Sequence, residues 1–122
     1  MTKIGFIGLG NMGAKMTMNL LKANYEVIGY DINKEFVNNL LPKGLKQATN
    51  LIEIAKDADI VITMLPNGDI VEEVYDNIID EFAPGALFVD CSTIEVNKAK
   101  QLHKKCEDKN ILSLDAPVSG GV

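Results

Sequence analysis

Short, almost uninterrupted apolar runs alternate along the chain with longer stretches in which apolar residues return every three or four positions. The first run, Lys3-Ile4-Gly5-Phe6-Ile7, has the continuous hydrophobicity of a parallel strand buried on both faces. Beyond a cluster of glycines, Met12, Met16 and Leu20 recur at helical spacing, widened by Ala14 and Leu21, a stripe that reads as core packing. Asn24 stands where a residue tolerant of the left-handed conformation would close that helix. Residues 25–30 form a second strand. Asp31 and Asn33 follow as turn or cap residues, and Phe36, Val37, Leu40 and Leu41 give the apolar face of a second helix stopped by Pro42. Residues 45–48 are a weak third strand, 50–56 a short helix, and 59–65 a strong fourth strand ended by Pro66-Asn67-Gly68. Ile70, Val71, Val74, Ile78 and Ile79 repeat at helical intervals. Pro84-Gly85 then turns the chain into a fifth strand, residues 86–90, and a polar helix over residues 95–108 leads to a sixth at residues 111–114.

No repeat, low-complexity tract or linker breaks this alternation. Strands and helices taken in turn imply right-handed crossovers, hence an α/β fold with a doubly wound parallel sheet in three α/β/α layers. Ligands in such sheets collect at the carboxyl ends of the strands, so the loops that follow the strands hold the candidate chemistry.

The first of these loops is Gly8-Leu9-Gly10-Asn11-Met12-Gly13. By itself a G-x-G-x-x-G pattern is weak, but this one leaves a strand and opens a helix, the context in which it cradles a pyrophosphate. Gly8 permits the tight turn, Gly10 the approach of phosphate to backbone, and Gly13 close packing of helix on sheet. The second strand ends in Asp31, eighteen residues after Gly13, near the position of an acid that accepts hydrogen bonds from ribose hydroxyls and repels a 2′-phosphate. That favours NAD over NADP, although Lys34 lies three residues on and Asp31 also has the chemistry of a helix cap. The fourth and fifth strands end in Met64-Leu65-Pro66 and Asp90-Cys91-Ser92-Thr93-Ile94; Ser92 or Thr93 suits the cap of the next helix, and Cys91 a small buried filler. The sixth runs into Asp115-Ala116-Pro117-Val118-Ser119-Gly120-Gly121, either an ordinary turn or an anion-binding nest.

Composition narrows the function. The 122 residues, 47% hydrophobic and 24% charged, suffice for one domain whose core needs neither disulfides nor a structural metal. A net charge of −5 argues against nucleic acid as a partner. All twelve basic residues are lysine, so an anion site here must rest on backbone amides, a helix end or lysine, without the bidentate fork of arginine. Cys91 and Cys106 read as reduced thiols, no apolar run approaches the ~20 residues of a membrane span, and the glycines after residue 4 break up any signal-peptide core. A cytoplasmic protein is expected, an organellar matrix being the other option. Lys98, Lys100, Lys104, Lys105 and Lys109 read as a solvated helix face that also carries His103, the single histidine.

Taken in order, Phe6-Ile7-Gly8-Leu9-Gly10-Asn11-Met12-Gly13 with Met16 and Asn19-Leu20 behind it, Met64-Leu65-Pro66, Asp90-Cys91-Ser92-Thr93-Ile94 and Asp115-Ala116-Pro117-Val118-Ser119-Gly120-Gly121 resemble the successive motifs of the β-hydroxyacid dehydrogenases. That family includes 3-hydroxyisobutyrate dehydrogenase, tartronate semialdehyde reductase and the glyoxylate/succinic semialdehyde reductases. The resemblance implies a Rossmann domain over residues 1–122, incomplete at its C-terminal end and cut before the family's all-helical C-terminal domain. It implies a bound NAD held by Gly8, Leu9, Gly10, Asn11, Met12, Gly13 and Asp31, with Leu65, Pro66 and Thr93 along the cofactor and Ser119, Gly120 and Gly121 on the substrate carboxylate. The substrate would be a small hydroxy acid or semialdehyde, and the full-length protein a homo-oligomer. The family's catalytic lysine lies in a G-x-x-G-x-G-x-x-x-K-x-x-N-type motif that this sequence lacks, so no residue here is assigned as catalytic. Three other readings stay open: an NADP-dependent semialdehyde reductase, an imine reductase, and a non-catalytic dinucleotide-binding or oligomerisation module. An exposed apolar patch is expected near the chain end.

Overall fold

The computed structural model describes residues 2–117. Six strands and five helices follow one another as β1 (Lys3–Ile7), α1 (Asn11–Lys22), β2 (Glu26–Tyr30), α2 (Lys34–Leu40), β3 (Lys46–Gln47), α3 (Leu51–Asp57), β4 (Ile60–Thr63), α4 (Gly68–Ile78), β5 (Leu87–Asp90), α5 (Val96–Asp108) and β6 (Leu112–Asp115). All pairings are parallel, and the strand order is β3-β2-β1-β4-β5-β6. The chain therefore winds outward from β1 in one direction and then, through β4, in the other. This is the Rossmann arrangement that the alternation of runs predicts, and it leaves a crevice where β1 and β4 diverge.

Burial follows the pleat. Ile7, Val61 and Phe88 face α3, α4 and α5 and pack with Ile54, Ala55, Val71, Tyr75, Ile78, Leu102 and Cys106. Ile4, Phe6 and Val27 face the other way, onto Val37, Leu40 and the half-buried Met16, Met18 and Leu20 of α1 and α2. The centre of the α1 stripe is Gly13 and Thr17, with the methionines at its flanks. On α2 the buried pair is Val37 and Leu40, whereas Phe36 and Leu41, expected on the same apolar face, are exposed.

Local chemistry sets the helix ends. Asn33, Asn50 and Asn67 cap α2, α3 and α4, each side chain accepting a first-turn N–H at 3.0, 2.9 and 3.0 Å. At the other end, Asn24 and Asn110 adopt φ of 68° and 60°, and the next residues donate N–H back to Leu20 O (3.1 Å) and Cys106 O (2.8 Å). Of the lysines expected on a solvated face, Lys100, Lys104 and Lys109 are exposed, whereas Lys98 and Lys105 are half-buried. Lys98 and Lys105 both reach Glu72 of α4, and Lys109 reaches Asp80 at 3.1 Å, so the two helices are laced together by charge.

Among the described residues the three layers are complete over β1 and β2 but not over the far half of the sheet. On the face shared with α1 and α2, Leu87 and Val89 are half-buried, and Leu112 and Leu114 are 68% and 56% exposed. An apolar strip on an edge strand drives association. The chain is expected to self-associate with rising concentration in sedimentation, and Leu112→Lys with Leu114→Lys to return it to a monomer. A monomer at every concentration would contradict this reading.

Candidate functional site

The crevice is built by four segments. β1 delivers the chain to Gly8 at φ +100°, whose N–H donates to Tyr30 O at 3.0 Å and so ties the turn to the end of β2. The helix that follows starts at Gly10 with no side-chain cap and no acidic residue in its first turn. Its leading N–H groups are thus left for an anion, aligned with the positive end of the helix dipole. Among α1 to α4, the helices that begin beside this crevice or next to it, α1 alone lacks an asparagine cap.

Asp31 does more than close β2. Its Oδ2 accepts the Leu9 N–H at 2.7 Å and its Oδ1 the Asn33 N–H at 2.8 Å. One carboxylate therefore fixes both the glycine turn and the β2–α2 turn, and the cap of α2 is Asn33, not Asp31. Leu9 itself is buried in the core, so it takes part in the site through its backbone.

A cleft of about 490 Å³ lies across these elements. Gly8, Gly10, Asn11, Met12, Gly13 and Asp31 line it together with Leu65 and Pro66 at the end of β4. Met12, read from its spacing as core, faces this space. Sequence reasoning passed over Tyr30, Ile32, Asn33 and Phe36, which also line it. Ile32 is 89% exposed and Phe36 38%. An isoleucine directly after a strand-end acid, where a polar turn residue would serve, was the available signal. These two side chains form an apolar shelf next to Asp31, suited to a flat heteroaromatic base.

Thr93 falls outside this cleft, in a neighbouring cavity of about 450 Å³ with Asn67, Gly68 and Lys98. Neither Ser92 nor Thr93 caps α5, whose capping position is Glu95, with no side-chain hydrogen bond. Ser92 instead accepts the Leu65 N–H on its Oγ at 2.8 Å, and donates its own N–H to Asp90 Oδ1 at 3.1 Å. Asp90 Oδ1 also accepts from Thr63 Oγ1 at 2.8 Å. A buried polar chain thereby straps the loops after β4 and β5 together at the crevice. Cys91 is buried beside it, and burial together with the neighbouring Asp90 raises its thiol pKa, which suits a filler and not a nucleophile. His103 is exposed on α5, with Nδ1 2.7 Å from Ser113 Oγ and Nε2 3.5 Å from Glu107, away from the crevice. Ser119, Gly120 and Gly121 lie outside the described residues.

The residues fit a dinucleotide on their own chemistry. Uncapped helix amides and an open space at Gly10, where an added Cβ would meet nothing nearer than Phe36 Cε2 at 4.0 Å, suit a pyrophosphate. The Asp31 carboxylate suits a ribose diol, and Ile32 with Phe36 an adenine.

Comparison with known proteins shows the family. The family described as the NAD binding domain of 6-phosphogluconate dehydrogenase matches residues 3–122. A probable 3-hydroxyisobutyrate dehydrogenase of Mycobacterium tuberculosis is 43% identical over 122 residues, all of this chain and 42% of that protein. The mitochondrial 3-hydroxyisobutyrate dehydrogenase of Drosophila melanogaster is 46% identical over 98% of this chain and 37% of its own length. The solved structure of Mycobacterium tuberculosis 3-hydroxyisobutyrate dehydrogenase with L-serine superposes with a TM-score of 0.95 at 42% identity, covering 99% of this chain and 42% of that one. The chain thus spans about two fifths of the length of the relatives it matches.

Proposed function

The chain belongs to the family of NAD-binding domains typified by that of 6-phosphogluconate dehydrogenase, and from that premise we propose that it is the cofactor-binding portion of an oxidoreductase that interconverts a small 3-hydroxy acid and its semialdehyde. The observation that carries this reading is the glycine turn at an uncapped helix, held by the Asp31 carboxylate at the end of β2. In this reading the α1 amides take the pyrophosphate, Asp31 accepts the ribose hydroxyls, and Ile32 and Phe36 flank the adenine. Leu65 and Pro66 lie further along the crevice, kept in place by Ser92. Bound there, the dinucleotide supplies the nicotinamide that carries hydride. Support for the substrate class comes from the relatives, named for 3-hydroxyisobutyrate, one of them solved with L-serine, itself a 3-hydroxy acid. The proton of the carbinol oxygen needs an acid or base; among the residues of this chain none is assigned that task, so these residues bind and orient.

Calorimetric titration of the chain with NAD and NADP tests the reading. NAD is expected to bind more tightly, because a 2′-phosphate would stand against the Asp31 carboxylate. Gly10→Ala is expected to melt like the unaltered chain, since the space beside it is open. It should nevertheless weaken NAD by roughly tenfold, about 1.4 kcal/mol, by placing a methyl where the pyrophosphate approaches. Equal or tighter binding of NADP would overturn the preference, and an unchanged NAD affinity in Gly10→Ala would overturn the placement.

A further inference from the structure

The side-chain acceptors around the proposed base position are already committed. Both oxygens of Asp31 accept backbone amides, Oδ2 from Leu9 at 2.7 Å and Oδ1 from Asn33 at 2.8 Å. The Asn33 side chain turns its own acceptor, Oδ1, to the Glu35 N–H at 3.0 Å as the cap of α2. Tyr30 is half-buried and packs against the core beneath the cleft. What reaches into the cleft beyond Asp31 is hydrocarbon. Ile32 is almost fully exposed and Phe36 partly so, with Phe36 Cε2 beside the open space at Gly10. Pro66, Ile70 and Val74 line the same cleft from the β4–α4 side. A planar base laid between these walls covers apolar surface that otherwise meets water. Reading the edge of that base is a separate matter. Strong rejection of a wrong group needs a polar partner on the protein that the wrong group leaves unpaired, and an apolar slot rejects an isostere only weakly.

We propose that the cleft holds the base of its dinucleotide by area and does not read the edge, so that its ligand class is the nicotinamide dinucleotides of any purine. The inference rests on the dinucleotide reading above and adds base specificity to it. Adenine presents an amino donor at C6 and an acceptor at N1, whereas hypoxanthine presents an oxo acceptor at C6 and a donor at N1. Telling the two apart takes an acceptor aimed at the amino group. The side-chain acceptors at the end of β2 are turned to the Leu9, Asn33 and Glu35 amides instead. Exchanging the amino group for an oxo group therefore strips no partner from these side chains, and the penalty of an unpaired polar group does not arise. Ring area does matter. A purine covers Ile32 and Phe36 with two fused rings and a pyrimidine with one, so the site sorts bases by size and not by hydrogen-bonding pattern. Specificity is thus divided: Asp31 acts on the ribose, and Ile32 and Phe36 act on the ring.

The test is calorimetric titration of the chain with NAD and with the nicotinamide dinucleotides of hypoxanthine, guanine and cytosine. The hypoxanthine and guanine forms are expected to bind within about threefold of NAD, and the cytosine form roughly tenfold more weakly. Ile32→Ala and Phe36→Ala, both at exposed side chains, are expected to melt like the unaltered chain. Each should weaken NAD and the hypoxanthine form by the same factor, roughly three- to tenfold. A hypoxanthine or guanine form bound more than threefold more weakly than NAD, a cytosine form bound as tightly as NAD, or unequal losses of NAD and the hypoxanthine form in either variant would each overturn binding by area alone. Failure of the unaltered chain to bind NAD would instead overturn the dinucleotide reading beneath it, so the two failures are told apart.

Discussion

Replacing Asp31 by alanine is expected to weaken NAD by roughly thirty- to a hundred-and-fifty-fold and to leave NADP binding weak as well. The usual expectation for a ribose-binding acid is that its removal relieves repulsion of a 2′-phosphate and so exchanges one cofactor for the other. Here the same carboxylate receives the Leu9 and Asn33 amides at 2.7 and 2.8 Å. Its loss leaves two backbone donors without a charged acceptor, and hydrogen bonds to charged groups contribute about 1.5–3 kcal/mol each. Part of that is regained from water at Asn33, which is exposed, but less at the half-buried Leu9 contact. A net loss of about 2–3 kcal/mol in cofactor affinity corresponds to the fold-change stated. Because the glycine turn is shared by both dinucleotides, NADP gains nothing from the vacated space. Calorimetry on Asp31→Ala with each cofactor decides the point: a rise in NADP affinity above that of the unaltered chain would mean that Asp31 acts as a specificity group alone.

Gly13→Ala should be the most damaging change to the fold itself. A Cβ at that position would lie far inside van der Waals contact with the Gly8 carbonyl oxygen, with the Gly8 carbonyl carbon at 3.0 Å and Phe6 Cε1 at 3.3 Å. Two of the three neighbours are backbone, which cannot rotate away, so α1 must lift from β1. Overpacking of this kind costs about 2–3 kcal/mol, which in a domain of this size lowers Tm by roughly 8 to 12 °C. Gly8→Ala should behave alike for two reasons, a φ of +100° and a collision with the Met64 carbonyl oxygen. Thermal unfolding followed by circular dichroism measures both, with Gly10→Ala as the glycine that should cost nothing. A melting point for Gly13→Ala within a degree or two of the unaltered chain would mean that α1 is not seated on β1 in this way.

The strands and helices were legible because each apolar run is bounded by residues with a specific local job. Pro66-Asn67-Gly68, Asp31 and Asn24 mark their turns by chemistry that acts over three or four residues, and the structure uses each of them. What the sequence concealed depends on partners distant in the chain. Ser92 and Thr93 look like caps because a hydroxyl before a helix usually accepts a first-turn amide. Ser92 finds the Leu65 amide, 27 residues away, instead, since parallel pairing sets the two strand ends side by side. Phe36 has helical spacing with Val37 and Leu40, yet α2 is so short that the residue at its start overhangs the crevice rather than the core. The lysines of α5 are indistinguishable from a solvated face until α4 brings Glu72 and Asp76 against them. The position of Asp90 was visible, but its pairing with Thr63 and the Ser92 N–H was not, because that depends on parallel pairing of strands 27 residues apart.

The strand order also fixes a timetable for synthesis. β1 lies at the middle of the sheet, and its partner on one side is β2, with Lys3 beside Glu26, while on the other side Ile4 waits for Ile60. Among the strands of this sheet a ribosome therefore releases the central one before the others, and its second neighbour more than fifty residues later. During that interval the nascent chain holds Ile7 and Phe6 with one flank unpaired, able to form the β1–β2 half but not to close the crevice. The cleft proposed for the dinucleotide is lined from both halves, by Gly10 and Asp31 on one side and Leu65 and Pro66 on the other, so it is complete only once β4 has emerged.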